Sequence, residues 1–263
     1  MVHTLTGRHI QVNIAASHKS SIELKLFLND QEFTQRLILS SLSSGKFYET
    51  HVSQLFLKLL EPGDTVIDIG AHVGYYSILS SYLIGASGRV IACEMNRDNL
   101  IRLCYHKDLN NCNNLIPIAG AIGDESKEVT FFINQDNDGG HALWNVGEHF
   151  FNQKSLAEPK QEKVAMRTLD EIVKCHNLDR VKLIKIDTEG AEPLVLKGGQ
   201  ASIAQLKVPF IISEINEFGL NQLGFNQMSV RKFFYDMGYS CYLILPNGLT
   251  ELAPTTYHPE GLF

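Results

Sequence analysis

The chain has 263 residues, 44% of them hydrophobic and 20% charged, proportions that fit a globular protein and exclude collagen, coiled coil and bulk disorder. Its 23 basic and 29 acidic residues leave a net charge of −6 and a pI near 5.9, so there is no overall cationic field and no nucleic-acid partner is expected. The five cysteines form no C-x-x-C pair and no stretch approaches the ~18 apolar residues of a membrane span, so a cytoplasmic protein, neither exported nor membrane-embedded, is expected.

No internal repeat of solenoid length occurs, and the predicted elements follow in chain order. Residues 8–13 and 21–28 alternate with period two, as half-buried strands do. They define a β-rich extension over residues 1–48, ahead of a single domain over 49–263. Within 49–60, Val52, Leu55, Phe56, Leu59 and Leu60 form the stripe of an amphipathic helix, which Glu61-Pro62-Gly63-Asp64 stops. Thr65 to Ile69 is a β-branched strand, followed by apolar residues at helical spacing from Tyr75 to Leu83. Arg89 to Cys93 is a second strand, and Asn96 can cap the helix after it. Asn114 to Ala119 is a third, placed at a sheet edge because Pro117 cannot donate to a neighbour. Val181 to Ile186 and Val208 to Ile215 are nearly continuous apolar runs, expected in the middle of a sheet. Between them Pro193 opens a helix and Gly198-Gly199 ends it. Val230, Phe233, Phe234 and Met237 mark a last helix, and Tyr239 to Leu245 a last strand. The alternation specifies an α/β doubly wound, mostly parallel sheet with its ligand beyond the carboxyl ends of the strands. Residues 134–162 interrupt it as an insert or lid. The expectation is a segment hinged at Gly139-Gly140 that is mobile when empty and covers the acceptor with Trp144.

Asp68-Ile69-Gly70-Ala71-His72-Val73-Gly74 joins the first buried strand to a helix. The glycines allow a sharp turn and close approach to a ligand. The spacing departs from G-x-G-x-x-G, and an acidic residue just before the glycines disfavours a pyrophosphate and prefers a cationic amine. Glu94 ends the second strand about 20 residues past Gly74, where a carboxylate can accept both hydroxyls of a ribose. An adenosine-bearing, positively charged ligand meets both demands, and S-adenosyl-L-methionine is such a ligand.

Four strings carry a resemblance: Pro62 to Gly74, Ala121-Ile122-Gly123-Asp124, Lys185-Ile186-Asp187-Thr188-Glu189-Gly190-Ala191-Glu192 and Ile211-Ile212-Ser213-Glu214. In order and spacing they resemble the successive motifs of FkbM-type methyltransferases over roughly residues 45–240. The resemblance implies a Rossmann-like class I methyltransferase fold, with a final antiparallel strand inserted in the sheet and the third strand at an edge. It further implies S-adenosylmethionine as cofactor, with Asp68 and the loop of Gly70, Ala71, His72 and Gly74 at the methionine part, Glu94 at the ribose and Asp187 at the methionyl or reacting end. Many members carry Asn where this chain has His72. The resemblance also brings Asp124 among the cofactor-binding candidates.

Asp187 ends a buried strand, where a carboxylate is costly unless paired or hydrogen-bonded. Glu189 and Glu192 enter a helix and suit either its dipole or the site. Glu49, at the start of the first amphipathic helix, either contacts the cofactor or only favours the dipole. The expected function is methyl transfer to a hydroxyl of a small metabolite or sugar-like acceptor, the oxygen preference coming from the resemblance. Asp187, His72, His141 and Glu214 are the candidates to take its proton. Asn134-x-Asp136-x-Asp138-Gly139 looks like the start of a calcium loop, but Asn145 stands where the loop needs Glu, so no metal is expected. The alternatives are a nicotinamide-dependent oxidoreductase, disfavoured by Asp68 and the missing G-x-G-x-x-G, and a non-catalytic nucleoside-binding scaffold, disfavoured by intact Glu94 and glycines. No feature indicates an oligomeric state.

Overall fold

A computed structural model describes residues 5–16, 19–253, 255 and 257; the outermost parts of the expected 1–48 and 49–263 segments, residues 1–4 and 258–263, lie outside it. The N-terminal alternation folds into an antiparallel hairpin of β1 (Arg8–Ala16) and β2 (Lys19–Leu28), with Val12 opposite Leu24. Ile22, Leu24, Leu26 and Leu28 are buried, as period two demands. The extension is not only β: α1 (Phe33–Ser43) follows and buries Ile38, Leu39 and Leu42. Next come α2 (Thr50–Leu59), β3 (Thr65–Ile69), α3 (Tyr75–Ile84), β4 (Arg89–Glu94), α4 (Arg97–Leu109) and β5 (Leu115–Ala119). Asn96 caps α4 as expected, accepting from the backbone N–H groups of Asp98 and Asn99.

The chain then forms a small sheet that the sequence pattern did not announce. It comprises β6 (Ala121–Gly123), β7 (Lys127–Ile133) and, after the short α5 (Gln153–Ala157), β8 (Lys160–Thr168). β8 pairs parallel to β6 and antiparallel to β7, so the expected 134–162 insert includes a helix and the start of a strand. β8 is mostly exposed and polar, and the apolar residues of β7 gather in its second half without a clean alternation, which hid both from a hydrophobic pattern. The remaining elements are α6 (Leu169–Cys175), β9 (Leu183–Ile186), α7 (Glu192–Gly198), α8 (Gln200–Leu206), β10 (Phe210–Ser213), α9 (Glu217–Gln222), α10 (Gln227–Asp236), β11 (Cys241–Leu245) and β12 (Gly248–Leu252).

The main sheet has the order β10-β9-β3-β4-β5, and every pair in it is parallel. β5 lies at an edge, as Pro117 requires. β9 is central, but β10 is the other edge, with Phe210 37% exposed, so its apolar run does not mark a central strand. The expected inserted antiparallel strand is also relocated: β11 pairs with β12 in a separate hairpin. Successive strand residues feed two layers: Val66, Val90 and Leu183 join one core with β2, α1 and α3, whereas Ile67, Ile91 and Ile184 join the other with α7 and α10. The direction of winding reverses between β3 and β9, so a crevice opens where Ile69 and Ile186 end their strands. Among the described residues no helix is long and apolar enough to cross a membrane.

Candidate active site

At that crevice Gly70 turns the chain with φ +78°, and a Cβ there would lie 1.8 Å from the carbonyl oxygen of Asp187. Only glycine fits. Gly74 has φ +87° and faces Leu103 at 2.8 Å from the same notional atom. The N–H groups of Gly70 and Ala71 both donate to the carbonyl of Cys93, at 3.0 Å each, which pins the loop to β4. Glu94 completes the clamp: its carboxylate accepts from the backbone N–H of His72 and of Asn96, at 2.7 Å each. Burial pushes the Glu94 carboxyl upward, and these two N–H groups oppose that by favouring its charged form. Each carboxylate oxygen keeps a second lone pair for another donor.

Asp68 lies beneath the loop, buried and outside the residues that line the cavities. One of its oxygens accepts from Ser77 Oγ at 2.6 Å and the other is buried without a partner. Burial raises its pKa against the pull of the nearby Lys185 ammonium.

Two cavities meet at Gly70, His72, Gly139 and Asp187. The first is a cleft running along Glu94, Met95 and Ile122. The second, about 350 Å³, is lined by Glu49, Lys185, Glu189 and Glu214 together with Tyr48 and Tyr76. Asp187 stands between them, and Lys185 Nζ approaches its Oδ2 at 2.8 Å while lying 5.0 Å from the centroid of the Tyr76 ring. Burial opposes the charge on Asp187, but the Lys185 ammonium outweighs it and holds the carboxyl below its usual range. The charge on Asp187, aided by burial, keeps the hydrogen-bonded Glu214 well above its ordinary value. Glu49 accepts from Tyr76 Oη at 2.6 Å. Glu189 takes a hydrogen bond from Asn216 and is pushed up to about 8, first by burial and then by Asp187. Glu192 is buried away from the cavities. Its Oε1 accepts from Thr188 N, Gly190 N and Thr188 Oγ1, stapling the turn after β9, and burial raises it to about 7.

His72 has φ +52° and its Nε2 lies 2.8 Å from Asp138 Oδ2. The Asp138 carboxylate also accepts from Thr34 N at 2.7 Å and Gln35 Nε2 at 2.9 Å, and its carbonyl from Asn99 Nδ2 at 2.9 Å. Burial works against its charge, yet His72, Gln35 and Thr34 bring it down to about 2. Sequence reasoning missed Asp138, Lys185 and Tyr76 as site residues. The only signal for Asp138 was the calcium-like string, whose carboxylates in fact serve different segments: Asp136 binds the N–H groups of Lys154 and Ser155.

The remaining candidates are placed as follows. His141 is buried at the cleft wall, its Nδ1 accepts from Asn134 N at 3.0 Å, and burial lowers its pKa to about 4. Asp124 pairs with Lys197 at 2.8 Å and borders neither cavity. Trp144 does not stand over the cavities as an open cover. It is 7% exposed, donates from Nε1 to the Glu189 carbonyl at 2.6 Å and packs on Phe218. Among the described residues no group of His, Cys, Asp and Glu side chains has the arrangement of a metal site.

Residues 68–241 match the family model of the methyltransferase FkbM domain. Hexuronic acid methyltransferase AglP of Haloferax volcanii is 26% identical over 171 residues, 64% of this chain and 62% of that protein. Among solved structures, methyltransferase FkbM from Methylobacillus flagellatus KT superposes with a TM-score of 0.38 at 18% identity, over 70% of this chain and 44% of that one. Precorrin-6y C5,15-methyltransferase from Geobacter metallireducens GS-15 gives 0.41 at 15% identity, over 78% and 82%. The chain thus spans less than two thirds of the length of the first two of these proteins.

Proposed function

The chain belongs to the FkbM methyltransferase family, and from that premise we propose that it transfers the methyl group of S-adenosylmethionine to a hydroxyl of a small, sugar-like acceptor. The observation that carries this reading is the continuous pair of cavities at the switch point of the sheet, meeting at Asp187. The first has the features an adenosyl cofactor needs. Gly70 leaves a cradle that a Cβ would fill, Glu94 is held by two backbone N–H groups with lone pairs to spare for ribose hydroxyls, and Met95 and Ile122 supply apolar walls for a base. Asp68 serves that site from beneath, through its bond to Ser77 and its place near Lys185.

When bound, the cofactor supplies an electrophilic methyl on a sulfonium. Residues of this chain then have to align the acceptor oxygen, balance the positive charge and keep water out. Asp187 offers a carboxylate at the junction, its charge favoured by Lys185 and its position held by the hydrogen bond with Glu214. Its charge favours the cationic end of the cofactor, and its free lone pairs accept from the acceptor hydroxyl. The second cavity, lined by Glu49, Glu189 and Glu214, holds the acceptor's other hydroxyls. We assign residues 49–263 to the catalytic unit. The extension contributes Thr34 and Gln35, which fix Asp138 against the cofactor loop, and residues 134–162 act as a fixed insert rather than a lid.

The test is Asp187→Asn, assayed with methyl-labelled cofactor and a panel of hexoses and hexuronic acids. Turnover falls by about tenfold or more while the variant stays folded. Normal turnover per folded molecule would overturn the role of Asp187, and no labelled product from the wild-type enzyme would count against the acceptor class.

A further inference from the structure

We propose that His72, oriented by Asp138, is the general base that takes the proton of the acceptor hydroxyl. The inference rests on the methyltransferase reading and assigns a step that reading leaves open.

His72 is one of the four residues that line both cavities, and its backbone is fixed at that junction by the bond from its N–H to Glu94. Its Nε2 meets Asp138 at 2.8 Å. The Asp138 carboxylate is anchored by Thr34 N and Gln35 Nε2, so it is a fixed, ionised acceptor that selects the tautomer with the proton on Nε2. That tautomer leaves the lone pair on Nδ1. A histidine with one nitrogen held by a buried carboxylate and the other unprotonated is the arrangement by which a base is oriented and its cationic form stabilised.

The other candidates are spent. His141 borders the cleft, but its Nδ1 already accepts from Asn134 N, so its remaining ring nitrogen carries the proton. Glu214 is engaged in its hydrogen bond with Asp187, whose charge disfavours a second negative charge beside it. Asp187 is committed to Lys185 at 2.8 Å and to Glu214, which leaves it a weak base though a good acceptor of a hydrogen bond. The charged and titratable groups around His72 are Asp138, which it touches, and Glu32, Glu94, Asp187, His106 and His141, which act on it or feel it through space. In the step, the acceptor's O–H proton passes to Nδ1, the oxygen forms its bond to the methyl carbon, and the sulfur–methyl electron pair returns to sulfur. Asp138 stabilises the imidazolium until the proton is passed to water.

Three variants test this. His72→Asn keeps a residue that tolerates positive φ, so the variant folds and binds S-adenosylhomocysteine, while kcat falls by about a hundredfold. The wild-type kcat declines on acidification through one ionisation that is missing from the variant's pH profile. His72→Gly recovers part of its kcat when free imidazole is added, which a purely structural residue would not allow. Asp138→Asn, altering a positioning residue, lowers kcat and shifts the same ionisation with little change in KM. Ring nitrogen-15 spectra of the S-adenosylhomocysteine complex supply a readout independent of the acceptor: they show an unprotonated Nδ1 on His72 at neutral pH. A protonated Nδ1, an unchanged pH profile in His72→Asn, or failure of imidazole to restore activity overturns the inference. Failure of the wild-type protein to bind S-adenosylhomocysteine is a different result and strikes the methyltransferase reading instead.

Discussion

Replacing Glu94 with Gln should damage the protein before any cofactor is added. The carboxylate accepts two backbone N–H groups at 2.7 Å, from His72 on the cofactor loop and from Asn96 at the start of α4, and the residue is only 6% exposed. In the amide one of those oxygens becomes an NH2 group, which faces a donor and leaves one backbone N–H buried without a partner. Losing one charge-assisted bond and stranding its donor costs about 2–4 kcal/mol. For a chain of this size that lowers the melting temperature by roughly 5–15 °C. Thermal unfolding of the ligand-free variant by circular dichroism reads this directly. The same variant, titrated with S-adenosylhomocysteine, should lose about 2 kcal/mol of affinity, or some thirtyfold, because the loop is no longer clamped. An unchanged melting temperature in the ligand-free variant would refute the reasoning, since Glu94 would then have no part in holding the loop to α4.

Gly70→Ala places a Cβ 1.8 Å from the Asp187 carbonyl at φ +78°, so it should cost about 3 kcal/mol or more, or abolish soluble folding; expression with a normal melting temperature would contradict it. Buried Glu192, raised to about 7, and Glu189, raised to about 8, bind protons more tightly in the folded chain than in the unfolded one. Their contribution is fully present below the usual carboxylate range and is lost as pH rises through those values, up to about 3 kcal/mol for Glu192. The melting temperature should therefore fall between about pH 5 and 8, and Glu192→Gln should flatten the curve. Trp144 is the only tryptophan and is buried, so the emission of the free protein should already be blue and stay so with ligand. Trp144→Phe should cost about 1 kcal/mol for the lost bond to the Glu189 carbonyl; solvated-indole emission that shifts on binding would restore the lid.

Much of the fold was legible because apolar periodicity reports burial. Val66, Ile67 and Ile69 had to lie within a sheet covered on both faces, and Pro117 had to sit at its edge; both are observed. The same signal misled for β10, whose apolar run lies at the sheet edge with Phe210 exposed, and failed for β8, which is mostly polar and exposed, and for β7, whose apolar residues gather in its second half. In the site, Gly70 and Glu94 were legible from their spacing after strands. Asp138 was not, because its partners Thr34, Gln35 and His72 lie 104, 103 and 66 residues away, a distance only the folded chain closes. Nor does any pattern in the sequence announce that the indole of Trp144, expected as a free cover, is tied to Glu189, itself part of the second cavity.

Whether the cleft between β3 and β9 holds an adenosyl cofactor against Asp187 is read by calorimetric titration of the wild-type chain with S-adenosylhomocysteine and with NAD. One site of micromolar-range affinity for S-adenosylhomocysteine, weakened in Glu94→Gln, and no heat from NAD are expected. Tight binding of NAD with no response to S-adenosylhomocysteine would contradict it.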